Sequence, residues 1–277
     1  MKEQDNDFSE SHLPMTSLFS GAGIEVEADV FQYTVGIVNL FFIGKPTEDQ
    51  WVLIDTGMPH EGERIIQAAE DRFGKGAQPE AIILTHGHFD HVGSLEDLLG
   101  LWDVPVYAHA MELPYLTGER DYPKGDPTAG GLVSKLSPRF PNHGIDLKGK
   151  IQTLPSSNKI PQLKGWKWIH TPGHTEGHIS LFRESDRLLI AGDAFVTVKQ
   201  ESIYSVFTQK QEISGPPKYF TSDWIAAKKS IETILQLEPQ KAATGHGLPM
   251  SGTDLDDSLN RLVLDFDNIA LPKKYLN

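Results

Sequence analysis

A mixed α/β (α+β) architecture is expected of this chain of 277 residues. Apolar, β-branched runs alternate with amphipathic helical stretches, and two strand-rich halves each close in helices. No linker-like stretch cuts the chain, so residues 16–277 read as a single domain and residues 1–15 as a flexible N-terminal segment.

The elements follow in order. "FQYTVGIVNLFFIG" (31–44) is apolar and β-branched, and "WVLIDTG" (51–57) comes after a Gly-Lys-Pro turn, which predicts a strand pair entering a sheet. "EGERIIQAAEDRF" (61–73) carries Ile65, Ile66, Ala69 and Phe73 at helical spacing. Residues 81–85 form a short buried strand, 95–99 a short helix, and "VPVYAHA" (104–110) a further strand. Residues 112–145 break that rhythm, with Pro and Gly among scattered Tyr, Leu and Phe and no clean period. A stretch of that length inside a compact domain is usually functional or disordered, and its aromatics favour a loop packed on something.

Short β-like runs follow: "KIQTL", "GWKWIHT", "HISLFRE" and "RLLIAGD". "TSDWIAAKKSIETILQLEP" (221–239) predicts a helix with Thr221 or Ser222 as N-cap, a stripe of Trp224, Ile231, Ile234 and Leu235, and Pro239 as its stop. "KAAT" is a short strand, and a last amphipathic helix covers roughly 254–267.

Composition narrows the function. A hydrophobic fraction of 39% and a charged fraction of 23% are ordinary for a globular protein with a sizeable core. The net charge of −13 argues against a general partner among nucleic acids or anionic membranes. The absence of cysteine rules out disulfides and thiolate metal ligands. The acidic, polar start "MKEQDNDFSESHLPM" has no apolar core like that of a signal peptide, and no apolar run approaches the roughly 18 residues of a membrane span. A cytoplasmic protein, monomer or homodimer, acting on a small molecule is the expectation.

The chemistry is concentrated in "ILTHGHFDHVGS" (83–94), where His86, His88, Asp90 and His91 fall within six positions at the end of an apolar strand. Clustered imidazoles repel once protonated and lose hydration when buried, unless a cation uses their lone pairs. Imidazole with carboxylate is a ligand set for zinc, iron or manganese. Four more segments run an apolar strand into a tight Gly-containing turn with a ligand-type residue. "VLIDTG" offers Asp55, "WIHTPGHTEGH" His174, "LLIAGDAF" Asp193 and "AATGHGLP" His246.

Together these segments resemble the metallo-β-lactamase superfamily of dinuclear metallohydrolases, in its glyoxalase II-like and lactonase-like branch. The family motif, His-x-His-x-Asp-His followed by a distant His, Asp and His, is matched in order by His86, His88, Asp90, His91, His174, Asp193 and His246. The resemblance spans about residues 31–250. It implies a four-layer αββα sandwich with two divalent metals at one edge between the sheets. It further implies that His86, His88 and His174 bind one metal, that Asp90, His91 and His246 bind the other, and that Asp193 bridges them. Asp90 and Asp193 are the catalytic candidates, and zinc is the expected metal, with iron or manganese as alternatives. A hydroxide held between two divalent cations is a nucleophile at neutral pH.

Departures within the superfamily narrow the class. Oxygen-reducing di-iron members carry Glu at the place of His88, and true β-lactamases carry Cys or Ser at the place of Asp193. The span between His91 and His174 leaves little room for the extra domain of messenger-RNA nucleases. An ester, thioester or lactone is therefore the expected substrate. A phosphotriesterase- or β-lactamase-type hydrolase, a mononuclear-iron persulfide dioxygenase and a binding module that has lost its chemistry remain as alternatives.

Some residues stand outside the motif. Asp55 is expected to accept a hydrogen bond from a ligand imidazole, against the alternative of a plain turn aspartate before Gly57. His178 is expected as a structural partner rather than a ligand. Tyr115, Tyr122, Leu132 and Phe140 within 112–145, with Tyr204 and Phe207 further on, are candidate pocket-wall residues, and 112–145 is the expected substrate lid.

Overall fold

Long apolar runs seed the first sheet. A computed structural model describes residues 17–46 and 48–276, so the N-terminal segment 1–15 lies outside the described residues. β1 (Gly23–Glu27), β2 (Val30–Val35), β3 (Val38–Ile43) and β4 (Val52–Ile54) pair antiparallel in sequence order. The run 31–44 is thus two strands rather than one. Gly36 turns the chain with φ of 64°, a left-handed conformation that suits glycine, and Val35 pairs with Val38 across the turn.

Helical crossovers then switch the sheet to parallel pairing. α1 (Gly62–Phe73) leads to β5 (Ala81–Ile83), and α2 (Phe89–Val92) with α3 (Leu95–Leu99) leads to β6 (Val106–Ala108). β7 (Ile151–Thr153) completes the sheet of seven, parallel to β6. The long connection before it holds α4 (Leu113–Leu116) and α5 (Gly131–Leu136), so 112–145 is not structureless. These helices, of four and six residues, are too short to print a period on the sequence.

The second half repeats the scheme. β8 (Lys159–Ile160), β9 (Leu163–His170), β10 (Ile179–Arg183) and β11 (Leu188–Ile190) form an antiparallel run. β12 (Val196–Val198) and β13 (Gln211–Ser214) pair separately around α6 (Ile203–Thr208). After α7 (Trp224–Gln236) the chain adds β14 (Lys241–Ala243) parallel to β11, then β15 (Met250–Ser251), α8 (Gly252–Leu264) and α9 (Phe266–Ala270). The N-cap of α7 is Asp223, not Thr221 or Ser222: its carboxylate accepts the N–H groups of Ile225 and Ala226 at 3.0 and 2.9 Å. The expected last helix divides at Asp265 into α8 and α9.

Alternation along the strands builds four layers, α/β/β/α. Phe41, Ile43, Ile54 and Ile83 of the first sheet meet Trp166, Trp168, Leu181 and Ile190 of the second. Their neighbours Leu40, Phe42, Leu53 and Ile82 point the other way, onto Ile65 and Ala69 of α1 and Leu95 and Leu98 of α3. On the far side Phe182 and Leu189 pack on Ile231 and Ile234 of α7 and Leu255 and Leu259 of α8. Each such side chain contributes about 1.5–3 kcal/mol by burial, so a one-residue slip that reversed a strand would be prohibitive. No helix among the described residues is long and apolar enough to cross a membrane.

Candidate metal centre

The connections after β5, β9, β11 and β14 converge at one edge of the sandwich. After β5 the chain passes Thr85 and His86, and His88 becomes the N-cap of α2, which puts Asp90 and His91 on its first turn. His174 follows β9, Asp193 follows β11 through Gly192, and His246 follows β14 through Gly245. A Cβ at Gly245 would lie 2.1 Å from Asp193 Oδ1, so no larger residue lets these two turns approach.

Three groups of ligand atoms result, each within 4.8 Å: His86, His88 and His174; His86, His91 and Asp193; and Asp90, His91 and His246. The groups share members, so they form one cage, and every residue in it is buried. Asp193 Oδ2 lies 3.6, 3.5 and 3.3 Å from Nε2 of His91, His174 and His246, while Asp90 Oδ2 lies 3.4 Å from His246 Nε2.

Outer partners aim the rings. His91 Nδ1 donates to Asp55 Oδ2 at 2.8 Å, His246 Nδ1 to the Ile37 carbonyl at 2.8 Å, and His174 Nδ1 to Thr221 Oγ1 at 3.2 Å. Each contact leaves Nε2 directed into the cage. Asp55, in the left-handed region at φ of 60°, is itself held by the N–H and hydroxyl of Thr85, both at 2.7 Å. His88 presents Nδ1 instead, 2.9 Å from His174 Nε2.

His86 Nε2, His91 Nε2 and Asp193 Oδ1 are buried without a hydrogen-bond partner. Polar atoms left without a partner at the centre of a buried set of imidazoles and carboxylates fit divalent cations, which would supply the missing partner. The electrostatics agree. Burial, aided by neighbouring imidazoles, holds His86 and His174 well below the usual imidazole range, and burial lowers His88 to about 4. Burial also acts on His246, but Asp193 and Asp90 outweigh it and carry it up to about 10. Against the effect of burial, the surrounding imidazoles hold Asp193 well below the carboxylate range.

His178 stands behind the cage. Its Nε2 accepts the Asp193 N–H at 2.9 Å, and its Nδ1 donates to the Thr171 carbonyl at 3.1 Å. Burial lowers its pKa to about 3, which keeps Nε2 an acceptor.

The pocket-wall candidates fall into two sets. Tyr122 lies 4.6 Å from the His88 ring and stacks on Tyr115 at 4.1 Å, while Phe140 packs on Phe89 at 6.0 Å. Tyr204 and Phe207 instead stand exposed on α6, Leu132 is exposed on α5, and none of the three makes a ring contact with a cage imidazole among the described residues. α6 turns Ser205 and Val206 inward, which leaves those two rings on its outer face. Two residues carried no sequence signal. Phe220 lies 4.9 Å from His88 and 6.0 Å from Phe140, and Glu112 is fully buried between the turns that carry the histidines.

Comparison with known proteins gives the same picture. Residues 33–246 match the profile of the Metallo-beta-lactamase superfamily. The chain is 52% identical over 260 residues to the probable metallo-hydrolase YflN of Bacillus subtilis, covering 92% of this chain and 98% of that one. It is 31% identical over 210 residues to the probable metallo-hydrolase YybB of the same organism, covering 76% and 80%. Among solved structures it resembles TTHA1623 in a di-iron-bound form, with a TM-score of 0.52 and 25% identity over 77% of this chain and 89% of that one.

Proposed function

The chain belongs to the metallo-β-lactamase superfamily and is a metallohydrolase with a dinuclear metal site, and from that premise we propose that it cleaves a small ester-like bond, a thioester or a lactone. The observation that carries this reading is the placement of Asp193, whose Oδ2 faces imidazoles of both ligand groups within 3.6 Å. A carboxylate there suits a bridging ligand. In this reading His86, His88 and His174 would hold one metal and Asp90, His91 and His246 the other, with Asp193 a ligand to both; all seven fall in the overlapping ligand groups.

When bound, the two cations supply a water of lowered pKa as nucleophile and a Lewis acid for the scissile carbonyl. The chain supplies the rest. Asp90 and Asp193 would be the anionic groups that orient an attacking water, and the Asp55 contact suits a His91 tautomer that leaves Nε2 free. Tyr122, Phe140 and Phe220 shield the His88 side with aromatic surface, which suits a substrate with an apolar part. Zinc is the metal we assign, because imidazoles with carboxylates suit a hydrolytic zinc site; iron is the competitor, given the di-iron form of TTHA1623. A cytoplasmic setting and a small-molecule substrate belong to the same proposal, consistent with the lack of cysteine.

Metal analysis of the purified protein, followed by a panel of thioesters, lactones, phosphotriesters and β-lactams, tests the reading. About two zinc ions per chain and turnover of thioesters or lactones are expected. A single iron per chain, or turnover confined to phosphotriesters or β-lactams, would overturn it. Asp193→Ala should lose metal and lower kcat/KM by more than the roughly 10–100-fold typical of losing an outer partner. Full metal content and activity in that variant would refute the bridging role.

A further inference from the structure

Glu112 ends a 3₁₀ turn, Ala110–Glu112, just ahead of α4, and its side chain is fully buried. A carboxylate in that position persists only if both oxygens are well satisfied. Oε2 accepts the Gly87 N–H at 3.0 Å and the phenol of Tyr122. Oε1 accepts the Thr175 hydroxyl at 2.6 Å and the Gly177 N–H at 2.9 Å. Gly87 lies between His86 and His88, and Thr175 directly follows His174. One carboxylate therefore ties together two turns, one leaving each sheet, that carry the three imidazoles of one ligand group.

The surroundings are shaped for this contact. A Cβ at Gly87 would lie 2.6 Å from the Tyr122 phenol oxygen, and a Cβ at Gly177 would lie 2.8 Å from Glu112 Cγ. The other ligand group is braced elsewhere: His91 by Asp55 and His246 by the Ile37 carbonyl.

We propose that Glu112 is a positioning residue that sets the spacing of the His86, His88 and His174 imidazoles, and so governs one half of the metal centre and not the other. This rests on the ligand assignment above and is independent of the substrate. It acts through the Gly87 and Gly177 N–H groups and the Thr175 and Tyr122 hydroxyls rather than as a ligand.

The test is zinc titration of the metal-free protein against a chromophoric chelator, with no activity readout. Wild type should show two tight sites. Glu112→Gln replaces an acceptor oxygen with a donor, and should weaken one site by about 10–100-fold while leaving the second at its wild-type affinity. Tyr122→Phe and Thr175→Val, which each remove one donor, provide milder steps should Glu112→Gln fold poorly. Each should weaken the same site by a smaller factor. Two backgrounds identify the half affected. With His246→Ala, the remaining site should weaken when Glu112 is changed; with His88→Ala, the remaining site should not respond. Equal weakening of both sites alongside a fall in melting temperature would mark Glu112 as general packing and overturn the proposal, as would unchanged affinities. Fewer than two sites in wild type would instead overturn the ligand assignment on which it stands.

Discussion

At His246 two opposing influences meet. Burial favours the neutral ring, but the Asp193 and Asp90 carboxylates beside it prevail and raise it to about 10, and against burial the same two carboxylates, with Asp55, hold His91 well above the usual range. In the metal-free protein these two rings therefore carry protons at neutral pH that a metal must displace. Metal uptake should release protons, and apparent affinity should rise with pH throughout the range below about 10. Calorimetry in two buffers of different ionisation enthalpy measures that release; a heat independent of buffer would contradict it. His178 works in the opposite sense. Its folded pKa of about 3 lies below the ordinary imidazole value of about 6.5, so the unfolded chain binds the extra proton between those values. Its contribution to stability is complete above about pH 6.5 and is lost as pH falls toward 3. His178→Gln keeps an acceptor for the Asp193 N–H but no longer titrates, so its melting temperature should fall less between pH 6.5 and 5 than that of wild type. Identical slopes would refute this account.

Among the elements, two aromatic segments flank His88: Tyr122 and Phe140 from the connection between β6 and β7, and Phe220 from the stretch before α7. If these segments select the substrate, Phe140→Ala and Phe220→Ala should shift KM and the ranking of substrates by several-fold, with two metals retained. An unchanged ranking with a lower melting temperature would make them packing alone. The sequence announced one wall and not the other. The stretch 112–145 stood out by its length and its Pro and Gly, whereas Phe220 lies far along the chain from His88 and acquires its role only by folding. Glu112 was hidden for the same reason, because its four partners lie 10, 25, 63 and 65 residues away. The seven cage residues were legible because each lies a few positions past an apolar strand, a local pattern. The β2–β3 hairpin was not: both strands are almost wholly buried, so no polar alternation marks the break at Gly36.

On the scale of the whole molecule, the two sheets are joined at the cage as well as through the core. The Asn39 side chain on β3 donates to the Thr244 and Gly247 carbonyls at 2.9 and 2.8 Å, on either side of His246. The Asn39 N–H donates to Gly245 at 2.7 Å, so the first sheet grips the turn that presents a ligand from the second. Metals in the cage would add to that grip. Chelation should therefore lower the melting temperature by several degrees, and restored zinc should raise it again in proportion to occupancy. Melting unaffected by chelation, with loss of metal verified, would count against it. The cage gathers residues from His86 to His246, more than half the sequence apart, in a chain that has no cysteine. Each ion would then serve as a reversible cross-link closing a very long loop, the task a disulfide performs in an oxidising compartment. Such a cross-link, made by zinc, ignores redox conditions and answers to metal supply, so a cell short of metal would lose part of this protein's stability together with its catalysis.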